Sequence, residues 1–242
     1  MGLRIISGVY WDRGRRAENQ DSLTLQQALT SRGRVVFAAI SDGIGGLWEG
    51  ETASGYIMEK LIENFYQQML SLVCRRKGKS AIERSLMRCF YEINDGLNRY
   101  GNGKEIKLGA TISLLFVWKR NYLIVHLGDS RIYLCSRGEA ECLTKDHSDR
   151  GRGLTRCMGS FPFQEPQVCF GRICKKQGFL LCTDGFYRTV EQELGEILDP
   201  KEIDCEGQIE RRLRELSLAA LKRGEKDNMS AIYLAFPEGG AA

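Results

Sequence analysis

The stretch TISLLFVWKRNYLIVHLGDSRIYLC, residues 111–135, decides the fold. Three apolar runs, 111–118, 122–127 and 131–135, are separated only by Lys119-Arg120-Asn121 and by Gly128-Asp129-Ser130. Parallel strands need a crossover of about a dozen residues, so breaks this short predict an antiparallel meander.

Outward from this centre, strands and helices come in groups. Upstream, residues 5–10 and 22–25 read as short strands. Residues 34–40, RVVFAAI, form a stronger one that ends at Ser41-Asp42-Gly43. Helical periodicity then runs over residues 52–74, with Ile57, Leu61, Ile62, Phe65, Met69 and Leu72 on one face. Ser80 and Glu83 have the spacing of a capping box, ahead of a helix that buries Ile82, Leu86, Phe90, Ile93 and Leu97. Downstream, residues 179–183 read as a strand, 208–223 as an amphipathic helix and 230–236 as a last strand. Hairpin-joined strands with segregated helices predict an α+β fold, antiparallel sheets covered by helices. No linker or repeat interrupts it, so residues 1–242 are read as one domain with its core over about 5–236.

Composition narrows the function. The 242 residues carry 35 Lys and Arg against 31 Asp and Glu, a net charge of +4, too mild and too dispersed to point to nucleic acid or a membrane surface. The cluster Arg75, Arg76, Lys77 and Lys79 reads as a solvated loop. No apolar run reaches the ~20 residues of a membrane helix, and no signal-peptide layout is present. The chain is therefore expected to be cytoplasmic and monomeric. The nine cysteines lack C-x-x-C spacing, and several lie in apolar runs (Cys135, Cys182), as expected of reduced thiols that act as small hydrophobes. With two histidines, His126 and His147, an imidazole-rich metal site is excluded; His126 reads as a core residue and His147 as a turn residue.

Five aspartates sit at strand ends beside Gly, Ser or Asn: Asp21, Asp42, Asp129, Asp184 and Asp227. Alone, each reads as an ordinary turn residue. Strands of one sheet end along shared edges, so the set can converge, and converging carboxylates raise each other's pKa unless a cation joins them. A donor set made of oxygens favours hard divalent cations, Mg²⁺ or Mn²⁺, over Zn²⁺. In SDGIGGLWEGE, Gly43, Gly45, Gly46 and Gly50 let backbone approach a ligand, while Trp48 breaks a dinucleotide-loop pattern.

In order along the chain, NQDS (19–22), SDGIGG (41–46), GAT (109–111), GDSR (128–131), LTKDHS (143–148), LTRCMG (154–159), CTDGF (182–186) and KDNMSAI (226–232) resemble the motifs of the metal-dependent protein phosphatases, the PPM or type 2C family, in its bacterial form. The resemblance spans nearly the whole chain. It implies a four-layer αββα sandwich of two antiparallel β-sheets flanked by α-helices. It also implies a serine/threonine phosphatase with two Mn²⁺ or Mg²⁺ ions at one end of that sandwich. Asp42 would bridge the metals, the Gly43 carbonyl would hold one of them, and Asp184 and Asp227 the other. Asp21 would act chiefly through water, and Arg16 would bind the phosphate, where a guanidinium fork matches its oxygens. A hydroxide held by the metals would attack phosphorus in line. Substrates would be phosphoserine and phosphothreonine proteins, the products of a Ser/Thr kinase.

Three positions depart from the family pattern. Gln20 stands where many members have glutamate. Arg188 stands where some have an aspartate that, with the counterpart of Asp129, holds a weak third metal. Only residues 149–153 separate the DHS and LTR motifs, so the flap is short.

Two rival readings differ in kind. Cys182 and Arg188 match the C-x₅-R outline of phosphatases that use a thiolate, although Asp184 inside that loop would repel both thiolate and phosphate. Alternatively, the fold serves as a catalytically weak pseudophosphatase that binds phosphoproteins.

Overall fold

A computed structural model of the chain describes residues 4–44, 49–149 and 153–237. Twelve strands among these residues build two five-stranded antiparallel sheets and a short ribbon. One sheet runs β1 (Ile6–Asp12), β12 (Met229–Phe236), β11 (Gln177–Cys182), β6 (Arg131–Ser136) and β7 (Glu139–Cys142). The other runs β10 (Gln167–Arg172), β5 (Asn121–Leu127), β4 (Ile112–Trp118), β3 (Gly33–Asp42) and β2 (Asp21–Thr30). The ribbon pairs β8 (Ser148–Asp149) with β9 (Gly153–Leu154).

Alternation along β3 shows how the layers form. Successive side chains of a strand point to opposite faces. Val35, Phe37 and Ala39 pack against α1 (Gly50–Asn64) and α3 (Lys79–Lys104), beside Ile57, Leu61, Leu86 and Phe90. Val36, Ala38 and Ile40 point the other way and meet Phe179, Leu181, Ile232 and Leu234 of the facing sheet. That sheet turns Tyr133, Leu180 and Tyr233 outward onto α6 (Glu206–Lys222), at Ile209, Leu213 and Leu216. The result is helix, sheet, sheet, helix, the four-layer αββα sandwich. Strands buried on both faces read as the near-continuous apolar runs of residues 35–40 and 112–118.

Some expectations need correction. The run 111–135 is not a three-strand meander. β4 and β5 pair as a hairpin, but β6 leaves for the other sheet, where it pairs with β11 and β7. Gly128 makes the crossing possible: its φ is +114°, and a Cβ there would lie 2.6 Å from the Thr111 side chain. The turn 128–130 thus passes between the sheets at one end of the sandwich. β2 is ten residues long rather than four, because its outer half pairs along β3 as far as Thr30↔Gly33. The capping box does not form; α3 begins at Lys79 on Gly78, with no side-chain cap. The helix expected over 52–74 is continuous but contains a π-turn at Phe65–Met69 before α2 (Leu70–Cys74).

β7, β10, the ribbon, α4 (Asp184–Tyr187) and α5 (Leu194–Ile197) were not expected from the sequence. The ribbon flanks the segment expected to be a short flap, whose residues 150–152 lie outside the described residues. So do Gly45, Gly46 and Trp48 of the glycine-rich segment. Among the described residues no helix is long and apolar enough to cross a membrane.

Candidate metal and phosphate site

The end of the sandwich where β3, β4, β6, β11 and β12 terminate holds a cavity of about 440 Å³. Arg16, Gln20, Asp42, Gly43, Asp129, Asp184 and Asp227 line it, with Gly153 and Leu154 of the ribbon. The structure therefore gathers every candidate site residue except Asp21 on the wall of one cavity. Asp21 lies just behind it, 2% exposed.

Pairing register sets the positions. Asp21 and Asp42 are the terminal cross-strand pair of β2 and β3. The Asp42 amide donates to Thr111 Oγ1 at 2.9 Å. Asp184 opens α4 directly after β11, and Asp227 precedes β12, the neighbour of β11. Gly43 and Gly50 approach so closely that a Cβ on Gly43 would lie 2.4 Å from the Gly50 carbonyl oxygen, which brings the start of α1 against the Asp42-Gly43 turn. Such an approach is what a glycine at position 43 permits.

The electrostatics are those of an anionic site short of cations. Burial pushes Asp21 up to about 7 against the opposing hydroxyls of Ser230 and Thr183, with Asp184 and Asp227 adding to the rise. Burial, then Asp21, Asp184 and Asp227, hold Asp42 well above the usual carboxylate range. Asp129 is raised to about 6 by burial and then by Asp184. Asp184 is raised by burial, partly offset by Arg188.

Two guanidiniums offer partial relief. Arg16 Nη2 donates to Asp227 Oδ2 at 2.9 Å, and Arg188 pairs with Asp184. With those pairs made, no three His, Cys, Asp or Glu side chains among the described residues close around a common point. Yet Asp21 Oδ1 and Asp184 Oδ1 are buried with no hydrogen-bond partner. A buried carboxylate oxygen without a partner is costly. An all-oxygen set with unused lone pairs suits a hard divalent cation. The residues present thus fit Mn²⁺ or Mg²⁺. Asp42, Asp184, Asp227 and the Gly43 carbonyl are the candidate ligands, with Asp21 behind them and Asp129 beside them.

The sequence reading singled out the aspartates and missed the groups that hold them. Thr183 Oγ1 and Ser230 Oγ donate to Asp21 Oδ2 at 3.0 and 2.6 Å. Thr111 Oγ1 lies 2.7 Å from Ser130 Oγ, the residue next to Asp129. Ser113 Oγ donates to the Ser130 carbonyl and lies 2.9 Å from His126 Nδ1. Asn228 stitches the 13–20 segment to β12: its Oδ1 accepts from the Gln20 amide, and its Nδ2 donates to the Arg13 and Glu18 carbonyls.

Tyr187 Oη donates to the Asp129 carbonyl, and Arg131 stacks 4.2 Å from the Tyr187 ring while gripping Asp146 with two hydrogen bonds. Thr111, Ser130, Thr183, Asn228 and Ser230 lie inside the quoted motifs, Ser113 and Tyr187 outside them, and the aspartate that Thr183 and Ser230 hold, Asp21, is far away along the chain. His126 is a buried core residue, as expected, and burial with His147 stacked on it pushes it down to about 4. His147 is a turn residue whose Nδ1 accepts from the Gly128 amide.

Cys182 is not placed to react. Its side chain is fully buried in the outer core beneath α6, and burial holds its thiol well above the ordinary value. A thiolate nucleophile needs the opposite environment.

Comparison with known proteins agrees with this geometry. The family model described as protein phosphatase 2C matches residues 13–223. The chain belongs to the protein phosphatase 2C family. Among curated relatives, the serine/threonine protein phosphatase PstP of Mycobacterium tuberculosis is 27% identical over 248 residues, covering 91% of this chain and 43% of that protein. The chain spans about half the length of the curated relatives it matches. The structure of the serine/threonine phosphatase Stp1 from Staphylococcus aureus superposes with a TM-score of 0.84 at 24% identity, covering 99% of this chain and 97% of that one. The catalytic domain of PstP, solved in complex with two manganese ions, superposes with a TM-score of 0.73 at 24% identity, covering 97% of this chain and 99% of that one. The sandwich described above is therefore the fold of the protein phosphatase 2C family.

Proposed function

We propose that this chain is a metal-dependent serine/threonine protein phosphatase that hydrolyses phosphomonoesters. The observation that carries the reading is the convergence of Asp42, Asp129, Asp184 and Asp227 on one cavity with Arg16 at its lip. Buried, unpartnered carboxylate oxygens and mutually raised pKa values mark the site as built around cations it must bind. The manganese held by the PstP catalytic domain supports the same choice of ion.

Two such ions, when bound, supply Lewis acidity toward water and toward the phosphoryl oxygens. The chain supplies the rest. Asp42, Asp184, Asp227 and the Gly43 carbonyl hold the ions, and the hydroxyls of Thr183 and Ser230 fix Asp21 behind them. The Thr111 hydroxyl fixes the Asp42 backbone. Arg16 presents a guanidinium that is 55% exposed and, among the described residues, tethered only at Asp227, so it can exchange that carboxylate for a phosphate. Charge that develops on the phosphoryl oxygens is met by this fork. Gln20 lines the cavity as a neutral amide, leaving Arg16 without an acidic neighbour at that position. The ribbon residues Gly153 and Leu154 close one wall.

Phosphate release from a phosphothreonine peptide and from p-nitrophenyl phosphate tests the reading, with Mn²⁺, with Mg²⁺ and with EDTA. Turnover that requires either metal supports it. Turnover unaffected by EDTA contradicts it. Metal-independent binding of phosphopeptide by the folded protein, with no turnover under any condition, would favour a binding module.

A further inference from the structure

Resting on the phosphatase reading, we infer that the lip beside Arg16 selects phosphopeptides carrying Asp or Glu next to the phosphorylated residue. Two segments distant in sequence meet there. The Arg15 amide donates to the Lys226 carbonyl at 3.1 Å, and Arg15 Nη2 donates to the Leu221 carbonyl at 3.0 Å. Arg13 is held in the same turn, its carbonyl accepting from Asn228 Nδ2 and from the Arg16 amide. These bonds set Arg13 and Arg15 beside Lys222 and Lys226, and all four side chains are exposed.

Most of the acidic groups around them are already engaged. Asp12 Oδ1 accepts from the Gly14 amide. Glu193 pairs with Arg223. Glu225 is buried, accepting from the Lys226 and Asp227 amides and facing Arg188. Glu18, exposed and lining the cavity beside Arg16, is the one carboxylate of the 12–18 turn without a hydrogen-bond partner among the described residues, against four cations. Among the described residues, Arg13, Arg15, Lys222 and Lys226 make no ion pair with any of them. At the lip formed by Gln20 and the start of α1 the charge is different: Glu51 accepts from Gln20, and Glu49 is paired with Lys104.

A peptide whose phosphate sits on Arg16 lays its neighbouring residues across the four cations, where acidic side chains are attracted and basic ones repelled. Exposed charges act within about a Debye length, ~10 Å at 0.1 M salt, so the selection weakens as salt rises.

The test uses the metal-loaded full chain and two phosphothreonine peptides that differ only in having Glu or Lys beside the phosphoresidue, with p-nitrophenyl phosphate as the substrate that has no neighbouring residues to lay across the four cations. At about 25 mM KCl the inference expects kcat/KM for the Glu peptide to exceed that for the Lys peptide by about tenfold or more, with the ratio falling toward one at about 0.5 M. In Arg13→Glu/Lys222→Glu the ratio collapses or reverses, while p-nitrophenyl phosphate turnover is unchanged. Equal kcat/KM for the two peptides in the wild type, with p-nitrophenyl phosphate still hydrolysed, overturns the inference alone. So does a ratio insensitive to both salt and charge reversal. Failure to hydrolyse p-nitrophenyl phosphate with any metal removes the phosphatase reading, and the inference with it.

Discussion

Asp21 and Asp42 face each other as the last cross-strand pair of β2 and β3, two carboxylates directly opposed at the end of a sheet. Like charges directly opposed across a ladder are destabilising. Burial, with Asp184 and Asp227 adding to it, raises Asp21 to about 7, and burial and then Asp21 raise Asp42. A carboxyl whose folded pKa lies above its unfolded one contributes stability that is present at low pH and lost as pH rises through the folded value. The metal-free protein is therefore expected to melt at lower temperature at pH 7.5 than at pH 5. Asp21 accounts for a few kcal/mol of this, since each tenfold change in proton affinity is worth ~1.4 kcal/mol. Adding Mn²⁺ at pH 7.5 restores the loss. Melting curves in EDTA that are flat between those pH values would show that the pair is not strained.

Arg16 lines the cavity, and among the described residues its guanidinium makes one hydrogen bond, to Asp227. Arg16→Ala should lower kcat/KM on p-nitrophenyl phosphate by about 10²-fold, the cost of one charge-assisted bidentate contact. Most of the loss is expected in KM, with metal affinity nearly unchanged. Arg16→Lys should recover only part of it, because a point charge does not reproduce the fork. Steady-state kinetics with Mn²⁺ titration decides, and an Arg16→Ala enzyme with unaltered KM would remove Arg16 from phosphate binding.

Thr111 holds the Asp42 backbone and reaches Ser130 beside Asp129. Thr111→Val keeps the shape and removes both bonds, leaving a buried amide without its partner. Denaturant unfolding should show a loss of about 1–3 kcal/mol. Unlike a purely structural change, it should also weaken Mn²⁺ binding in the protein that remains folded. Unchanged Mn²⁺ affinity would confine Thr111 to stability.

Cys182 lies at the end of β11, two residues before Asp184, but faces the outer core. Cys182→Ser should leave turnover within about threefold of wild type while destabilising the fold by about 1–3 kcal/mol through a buried hydroxyl. Loss of turnover in a folded Cys182→Ser protein would return the thiolate mechanism to consideration.

The sequence revealed the elements whose signals are local. β3 and β4 carry near-continuous apolar runs, and the helix faces of Leu86, Phe90 and Ile93 repeat every three to four residues, so both were legible. The departure of β6 from the meander was not. Gly128-Asp129-Ser130 reads equally well as a hairpin turn, and only the burial of Thr111 against Gly128 sends the chain across to β11. β7 and β10 were missed because their residues are mixed in polarity and only partly buried, as suits strands at sheet edges. The aspartates were legible because each ends a strand beside a turn residue. Thr111, Ser130, Ser230 and Asn228 were not, since a small polar residue near a turn is common and its partner lies far along the chain.

The central claim is that these carboxylates form a metal centre, and calorimetric titration of Mn²⁺ into the metal-free chain tests it most directly. The account predicts two bound ions per chain, a rise in melting temperature on binding, and loss of at least one ion in Asp42→Asn. That variant should itself be no less stable than wild type in EDTA, because it relieves the repulsion with Asp21. No binding at millimolar Mn²⁺, or binding that Asp42→Asn leaves untouched, would contradict it.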